Sequence, residues 1–181
     1  MNRILITGVP GVGKSEISKE ISLILGHKLI NDKNYSVKNK LGHYDLVLGQ
    51  KEYFVDISKL NKSVLEFFKQ SKKDLLFEGH LWCELSKTNL KRFDVIIILV
   101  LDKKILESRL KKRNYPELKI QDNLFSQEFN YIENLFIKKN VCYKKIKITS
   151  NLKKNVNKIK SVLKNGKSIS NSTSSKCKRN K

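Results

Sequence analysis

A chain of 181 residues that is 39% apolar holds enough material for one domain with a buried core and too little for two comfortable ones. Its formal net charge of +21 is uneven: residues 134–181 carry 15 Lys/Arg and no acid, leaving +6 for the first 133. Charge gathered at one end points to a polyanionic partner, RNA first, against the plainer reading of a Lys/Asn-biased composition on solvated surfaces.

Short apolar runs alternate with amphipathic stretches, the pattern of βαβ units around a parallel sheet. The first strand, Arg3–Thr7, leads into Gly8-Val9-Pro10-Gly11-Val12-Gly13-Lys14-Ser15, which spells the phosphate loop G-x-x-x-x-G-K-[ST] between a strand and a helix. Gly11 and Gly13 let successive backbone N–H groups turn inward toward phosphate oxygens. Lys14 reaches the β/γ-phosphates and the Ser15 hydroxyl ligates Mg²⁺. The same glycines and Lys14 interrupt the apolar start long before it could form a signal peptide. Helix Lys14–Leu25 follows, with Gly26 where a C-cap belongs. Strand Lys28–Ile30, helix Ser58–Gln70 with Ser58 as N-cap, and strand Leu75–Glu78 come next. Then come strand Asp94–Leu101, helix Lys103–Lys112 capped by Asp102, helix Leu124–Asn140, strand Lys144–Thr149 and helix Leu152–Leu163. From residue 165 the polar, basic tail has one large apolar residue and is expected to be disordered.

A phosphate loop needs a carboxylate at a neighbouring strand end to hold Mg²⁺ or its waters. Two positions compete. Hydropathy favours Asp102, after the longest apolar run, yet a helix cap explains it more simply. Glu78 has no such bland role, and Gly79-His80 after it allow close backbone approach and add a group titrating near neutral pH, which favours Glu78. Arg109 and Arg113 share a helix face and could close over a triphosphate together; with only five arginines against 33 lysines, the pair stands out from a solvated basic helix. Cys83, Cys142 and Cys177 are odd in number and lack C-x-x-C spacing, so neither a disulfide framework nor a zinc site is suggested. The longest apolar run, Val95 to Leu101, is far too short to span a bilayer. These features predict a soluble, intracellular protein without a membrane partner.

Thr7 to Ser15, Glu78-Gly79-His80 and Arg109-Leu110-Lys111-Lys112-Arg113-Asn114-Tyr115 together resemble the small atypical adenylate kinases implicated in ribosome assembly, found in archaea and, as the coilin-interacting nuclear ATPases, in eukaryotes. The likeness runs from about residue 3 to 149. It implies an α/β P-loop nucleoside-triphosphate-hydrolase fold over 1–164, a five-stranded parallel sheet flanked by helices, with a monophosphate-binding segment near 31–54 and a lid near 112–122. It also implies γ-phosphoryl transfer from ATP to AMP or another nucleoside monophosphate, with ATPase activity. Gly11, Gly13, Lys14, Ser15, Glu16 and Arg113 would hold ATP, Arg109 would join Arg113 over it, and Ser15 and Glu78 would serve Mg²⁺, Glu78 directly or through water. Glu78 with His80 would organise the attacking group. The implied partners are a small-subunit ribosomal protein and rRNA, met by a monomer or transient complex in the cytoplasm, or in the nucleus of a eukaryote.

Three departures stand out. Asn114 replaces the lid glycine, and Glu16 replaces a frequent Thr. No arginine occurs between Arg3 and Arg92, so the acceptor anion must be clamped by Lys33, Lys38 or Lys51, point charges where Arg offers a bidentate fork. Weak AMP affinity is expected, which leaves an ATP-driven assembly or RNA-binding switch, or another small-molecule P-loop kinase, as alternatives. No N-K-x-D tetrapeptide supports a GTPase.

Overall fold

The computed structural model describes residues 2–47 and 49–166. Five short apolar segments pair in parallel: β1 (Arg3–Thr7), β2 (Lys28–Asn31), β5 (Leu75–Glu78), β6 (Val95–Val100) and β7 (Lys144–Lys147), in the order β2-β5-β1-β6-β7. Ile4, Leu5 and Ile6 of β1, Leu75 to Phe77 of β5 and Ile96 to Leu99 of β6 are all buried, without alternation. A strand buried on both faces requires cover on both, and the helices supply it. This is the P-loop nucleoside-triphosphate-hydrolase fold. β1 lies at the centre: the chain runs from it to β2 at one edge, returns to β5 beside it, and crosses to β6 and β7 on its other side. The crevice beyond the strand ends at that point is where such sheets receive ligands.

The helices are α1 (Lys14–Leu25), α2 (Asp32–Lys38), α3 (Ile57–Gln70), α4 (Lys87–Leu90), α5 (Lys103–Lys111), α6 (Glu117–Glu128), α7 (Tyr131–Lys138) and α8 (Leu152–Gly166). A 3₁₀ turn, Leu81–Glu84, follows β5. α1 ends at Gly26 as expected, with φ 68° and its N–H donated to Ser22 O. Asp102 caps α5 by accepting the Lys104 N–H at 3.0 Å. The cap of α3 is not Ser58 but Asp56, whose carboxylate accepts the Lys59 N–H at 3.0 Å; an Asp three residues before a free N–H satisfies it, and the helix starts one residue earlier than expected. The single expected helix Leu124–Asn140 is two, because Asn130 adopts φ 53° between α6 and α7. Asn tolerates that left-handed backbone, and apolar periodicity continues across the break, so the sequence pattern hides it.

Several elements carried no sequence expectation: α2, α4, the 3₁₀ turn, the first turns of α6 from Glu117 onward, and a hairpin. β3 (Gly42–Val47) and β4 (Gln50–Val55) form an antiparallel hairpin, apart from the main sheet, with Val47 opposite Gln50. Its strands are largely exposed and mix Asp, Gly, Lys and aromatics, so no apolar alternation announces them. An aromatic cluster supports the β5 side of the crevice: Phe77 meets Phe68, Phe93 and Trp82 at 5.0 to 5.4 Å between ring centroids. The Trp82 indole N–H donates to Glu78 O at 3.0 Å, tying the strand end to the 3₁₀ turn. Among the described residues no helix is long and apolar enough to cross a membrane, and Cys83 is buried while Cys142 is exposed. The expected disordered tail, apart from its first two residues at the end of α8, lies outside the described residues.

Asp102→Ala should lower unfolding free energy by about 0.5–2 kcal/mol, a cap's worth. Urea titration is the measurement: the midpoint should fall with an unchanged slope. An unmoved midpoint would deny Asp102 the capping role.

Candidate functional site

The loop Gly8 to Gly13 turns at the carboxyl end of β1 and delivers Lys14 and Ser15 as the first residues of α1. Gly13, the N-cap, has φ 100°, a left-handed backbone that only glycine takes without strain, and it leaves the first N–H groups of α1 aimed into the crevice. Lys14 is buried, and its ammonium donates to Gly8 O at 2.9 Å and Val9 O at 3.1 Å. Burial pulls its pKa below the usual lysine value, while the carboxylates of Glu78 and Asp32 push it back up. Arg109 reaches the same loop from α5: Nη1 donates to Val12 O at 3.1 Å and lies 3.5 Å from Gly11 O.

Glu78 closes β5 and is only 3% exposed. Its Oε1 accepts from Ser15 Oγ at 3.1 Å and from Asn31 Nδ2 at 2.5 Å. The register that pairs Asn31 with Glu78 across β2 and β5 sets the second contact, and the Asn31 Oδ1 meanwhile caps α2 through the Asn34 N–H. Asp102, the rival carboxylate, is spent on its cap. Gly79 has φ 145°, and a Cβ there would sit 2.0 Å from the Asp32 carboxyl carbon; its absence lets Asp32 approach the loop. Asp32 is 4% exposed and accepts the N–H groups of Lys33 at 2.7 Å and Leu81 at 2.9 Å. Its Oδ2 lies 3.6 Å from Nδ1 of His80, whose side chain is 51% exposed. Crowding by the walls lowers the imidazole pKa below its ordinary value; Asp32 opposes that shift and Lys14 reinforces it.

These groups line a cleft of about 500 Å³ with Gly11, Gly13, Glu16, Lys33, Arg109, Lys112, Arg113 and Tyr115, a volume that suits a nucleotide. A second hollow of about 550 Å³ adjoins it and shares Pro10, Lys33, His80 and Tyr115. The hairpin residues Lys51 to Tyr53, the 3₁₀ turn and Lys119 on α6 form its other walls. Of the expected clamp lysines, Lys33 and Lys51 reach this hollow and Lys38 is not among its walls. Lys119, which sequence reasoning missed, takes that place, paired with Glu52 and 4.9 Å from the Tyr115 ring centroid. Asn31 and Asp32 were missed too, although they open the segment after Ile30, one of the strand ends where ligands collect. Asn114, where the resembled family has glycine, adopts φ 52°, so the left-handed turn is kept by the non-glycine residue that best tolerates it.

Ser15 Oγ and the Glu78 carboxylate, on adjoining elements of the cleft, offer oxygen ligands to a divalent cation. Among the described residues no group of three or more His, Cys, Asp or Glu could hold a metal. That donor set fits Mg²⁺, which is commonly carried by one or two carboxylates together with substrate phosphates and water.

A family model described as "AAA domain" matches residues 4–133. The chain belongs to that family. Proteins similar to it include two named "Putative adenylate kinase": one from Thermococcus kodakarensis, 30% identical over 121 residues, and one from Methanocaldococcus jannaschii, 34% identical over 122. Each alignment takes in 67% of this chain and spans 62% and 64% of the respective relative. Among solved structures, a shikimate kinase from Acinetobacter baumannii matches with a TM-score of 0.62 at 15% identity, covering 92% of this chain and 95% of that one. A gluconokinase from Sinorhizobium meliloti matches at 0.53 and 12%, covering 93% and 95%. Their likeness is one of fold.

Gly79→Ala should cost about 1–3 kcal/mol of stability, because the new methyl meets the Asp32 carboxylate from a backbone that alanine rarely adopts. Denaturant unfolding would show it. A variant as stable as the parent would mean that Asp32 does not lie where the structure puts it.

Proposed function

We propose that the chain is a nucleoside-monophosphate kinase, with AMP as acceptor, that also hydrolyses ATP. The observation that carries the reading is the pair of adjoining hollows. One is built on the phosphate loop and the other is lined by Lys33, Lys51 and Lys119, and they meet at His80 and Tyr115. Two phosphate-bearing ligands entering from opposite sides would bring their phosphates together there. The names of the archaeal relatives agree.

In the proposed reaction an acceptor oxygen attacks the γ-phosphorus, the bond from that phosphorus to the β,γ-bridging oxygen breaks, and ADP leaves with the electron pair. Water in place of the acceptor gives hydrolysis. Little covalent work falls to the protein, so its task is positioning and charge compensation. Lys14 turns from the loop carbonyls to the β/γ-phosphates, with α1 N–H groups around them. Arg113, in the cleft wall, adds positive charge from the turn after α5, and Arg109 keeps the loop in shape through Val12 O. Ser15 and Glu78 would hold Mg²⁺, which when bound neutralises phosphate charge. His80 stands beside the attacking oxygen. Since the acceptor side offers lysines without an arginine fork, the acceptor is held by point charges, and hydrolysis competes with transfer.

A second reading, an ATP-driven switch on RNA in small ribosomal subunit maturation, is favoured by one feature. From residue 134 to 164 the described chain carries ten lysines and no acid, mostly on β7 and α8. Such a face suits a phosphate backbone.

A coupled assay with ATP alone, ATP plus each nucleoside monophosphate, and ATP plus RNA separates the readings. Stimulation by AMP several-fold above the basal rate is expected; stimulation by RNA alone would replace the kinase reading with the switch. Lys14→Ala should lower turnover about 10²–10³-fold, and a rate within threefold of the parent would remove Lys14 from the phosphates. Glu78→Gln should slow turnover while leaving nucleotide affinity nearly intact, which turnover set against nucleotide titration would show.

A further inference from the structure

The cleft chemistry above uses Lys14, Ser15, Glu78 and His80 and leaves Asp32 without a task. A carboxylate that is 4% exposed is costly unless its charge is compensated. Two backbone N–H groups, from Lys33 and Leu81, meet it. The His80 ring also approaches it, with Oδ2 at 3.6 Å from Nδ1, a contact that is an ion pair only when the ring is protonated. The room for this approach is made by Gly79, the residue between the two site groups Glu78 and His80: a Cβ there would lie within 2.0 to 2.5 Å of three atoms of the carboxyl group. Capping the Leu81 N–H alone would be served as well by an exposed side chain. Burying the acid against the imidazole implies a use for the ring.

We propose that Asp32 is a positioning residue for His80: its carboxylate accepts the Nδ1 proton, which leaves the Nε2 lone pair as the nitrogen presented to a group in the cleft. A histidine's tautomer is set by the partner of its other nitrogen, and a carboxylate beside Nδ1 selects the Nδ1–H form. The 3.6 Å contact is longer than a hydrogen bond and shortens by a few tenths of an ångström in the reactive complex, as such contacts often do. His80 lines both hollows, so an Nε2 acceptor there can hold the proton of an attacking water or acceptor while the phosphorus is approached. The inference rests on the reading of His80 as the group beside the attacking oxygen. It adds the buried partner that orients the ring.

The protein holds three histidines, so ¹⁵N-detected imidazole tautomers can be assigned to His80 by comparison with His80→Ala. At about pH 8, where imidazoles are neutral, His80 of the parent protein should carry its proton on Nδ1, a reading that needs no variant to fold. Asp32→Asn should move the population toward Nε2–H and lower turnover about 10–10²-fold with KM for ATP changed little. Asp32→Asn combined with His80→Ala should be no slower than His80→Ala alone. A parent ring protonated on Nε2, or a tautomer indifferent to Asp32→Asn, would overturn the inference even if His80→Ala were slow. A tautomer that follows Asp32 while His80→Ala keeps full turnover would support the orienting contact and overturn the reading of His80 instead.

Discussion

Burial of the Glu78 carboxylate constrains the site more than any other feature. An ionised acid taken out of water costs several kcal/mol unless its oxygens are met, so everything around it must bring donors or positive charge. Three residues on two elements do so: β2 supplies Asn31, and the start of α1 supplies Ser15 and the positive field of Lys14. Each donor reaches Glu78 because strand register and loop geometry allow one placement. A slip of one residue in β5 would turn the side chain to the other face of the sheet. The sheet order, the phosphate loop and the acid are therefore one constraint seen from three sides.

Legibility in the sequence followed local information. β1, β5 and α1 were placed to the residue because an apolar run, a glycine loop with Lys-Ser and a terminal Gly each carry their own mechanism. The phosphate loop and Glu78-Gly79-His80 were readable for the same reason. Asp32 was not, because what makes it unusual is depth and proximity to residue 80, and neither is written in the residues around position 32. The hairpin of β3 and β4 escaped because its strands pair with each other and bury little, so selection for an apolar face is weak. The helix break at Asn130 escaped because the apolar repeat continues through it.

Scarcity of arginine has a physical consequence for the division of labour. The guanidinium of Arg109 is engaged with the loop carbonyls and Arg113 lines the phosphate-loop cleft, so in the proposed reaction both forks of this region serve the donor side. The second hollow, proposed for the acceptor, is left with ammonium groups that carry charge but impose little direction. Tyr115 and Tyr53, the latter with its ring 4.9 Å from that of Tyr44, are aromatic walls of that hollow. Orientation there depends on shape more than on hydrogen-bond geometry.

The turn between α5 and α6, which carries Arg113 and Tyr115, hangs between two fixed points. At one end Leu106 and Leu110 of α5 pack so closely on the phosphate loop that a Cβ at Gly11 would lie 2.9 Å from each. At the other, Gln127 of α6 clasps the end of β6, its Nε2 donating to Leu101 O at 2.8 Å and its Oε1 accepting the Leu101 N–H at 3.0 Å. With α5 held to the phosphate loop and the far end of α6 held to the end of β6, the segment between them, Asn114 included, is tethered on both sides. A non-glycine residue already sitting at φ 52° there narrows the backbone choices further, since it loses less entropy on closing than glycine would and cannot reach as many alternative turns. In the proposed role of a lid, a short, stiff turn of this kind favours shallow closure over full enclosure, and shallow closure admits water. In the proposed reaction, hydrolysis of ATP beside transfer follows from the same geometry that positions the phosphates.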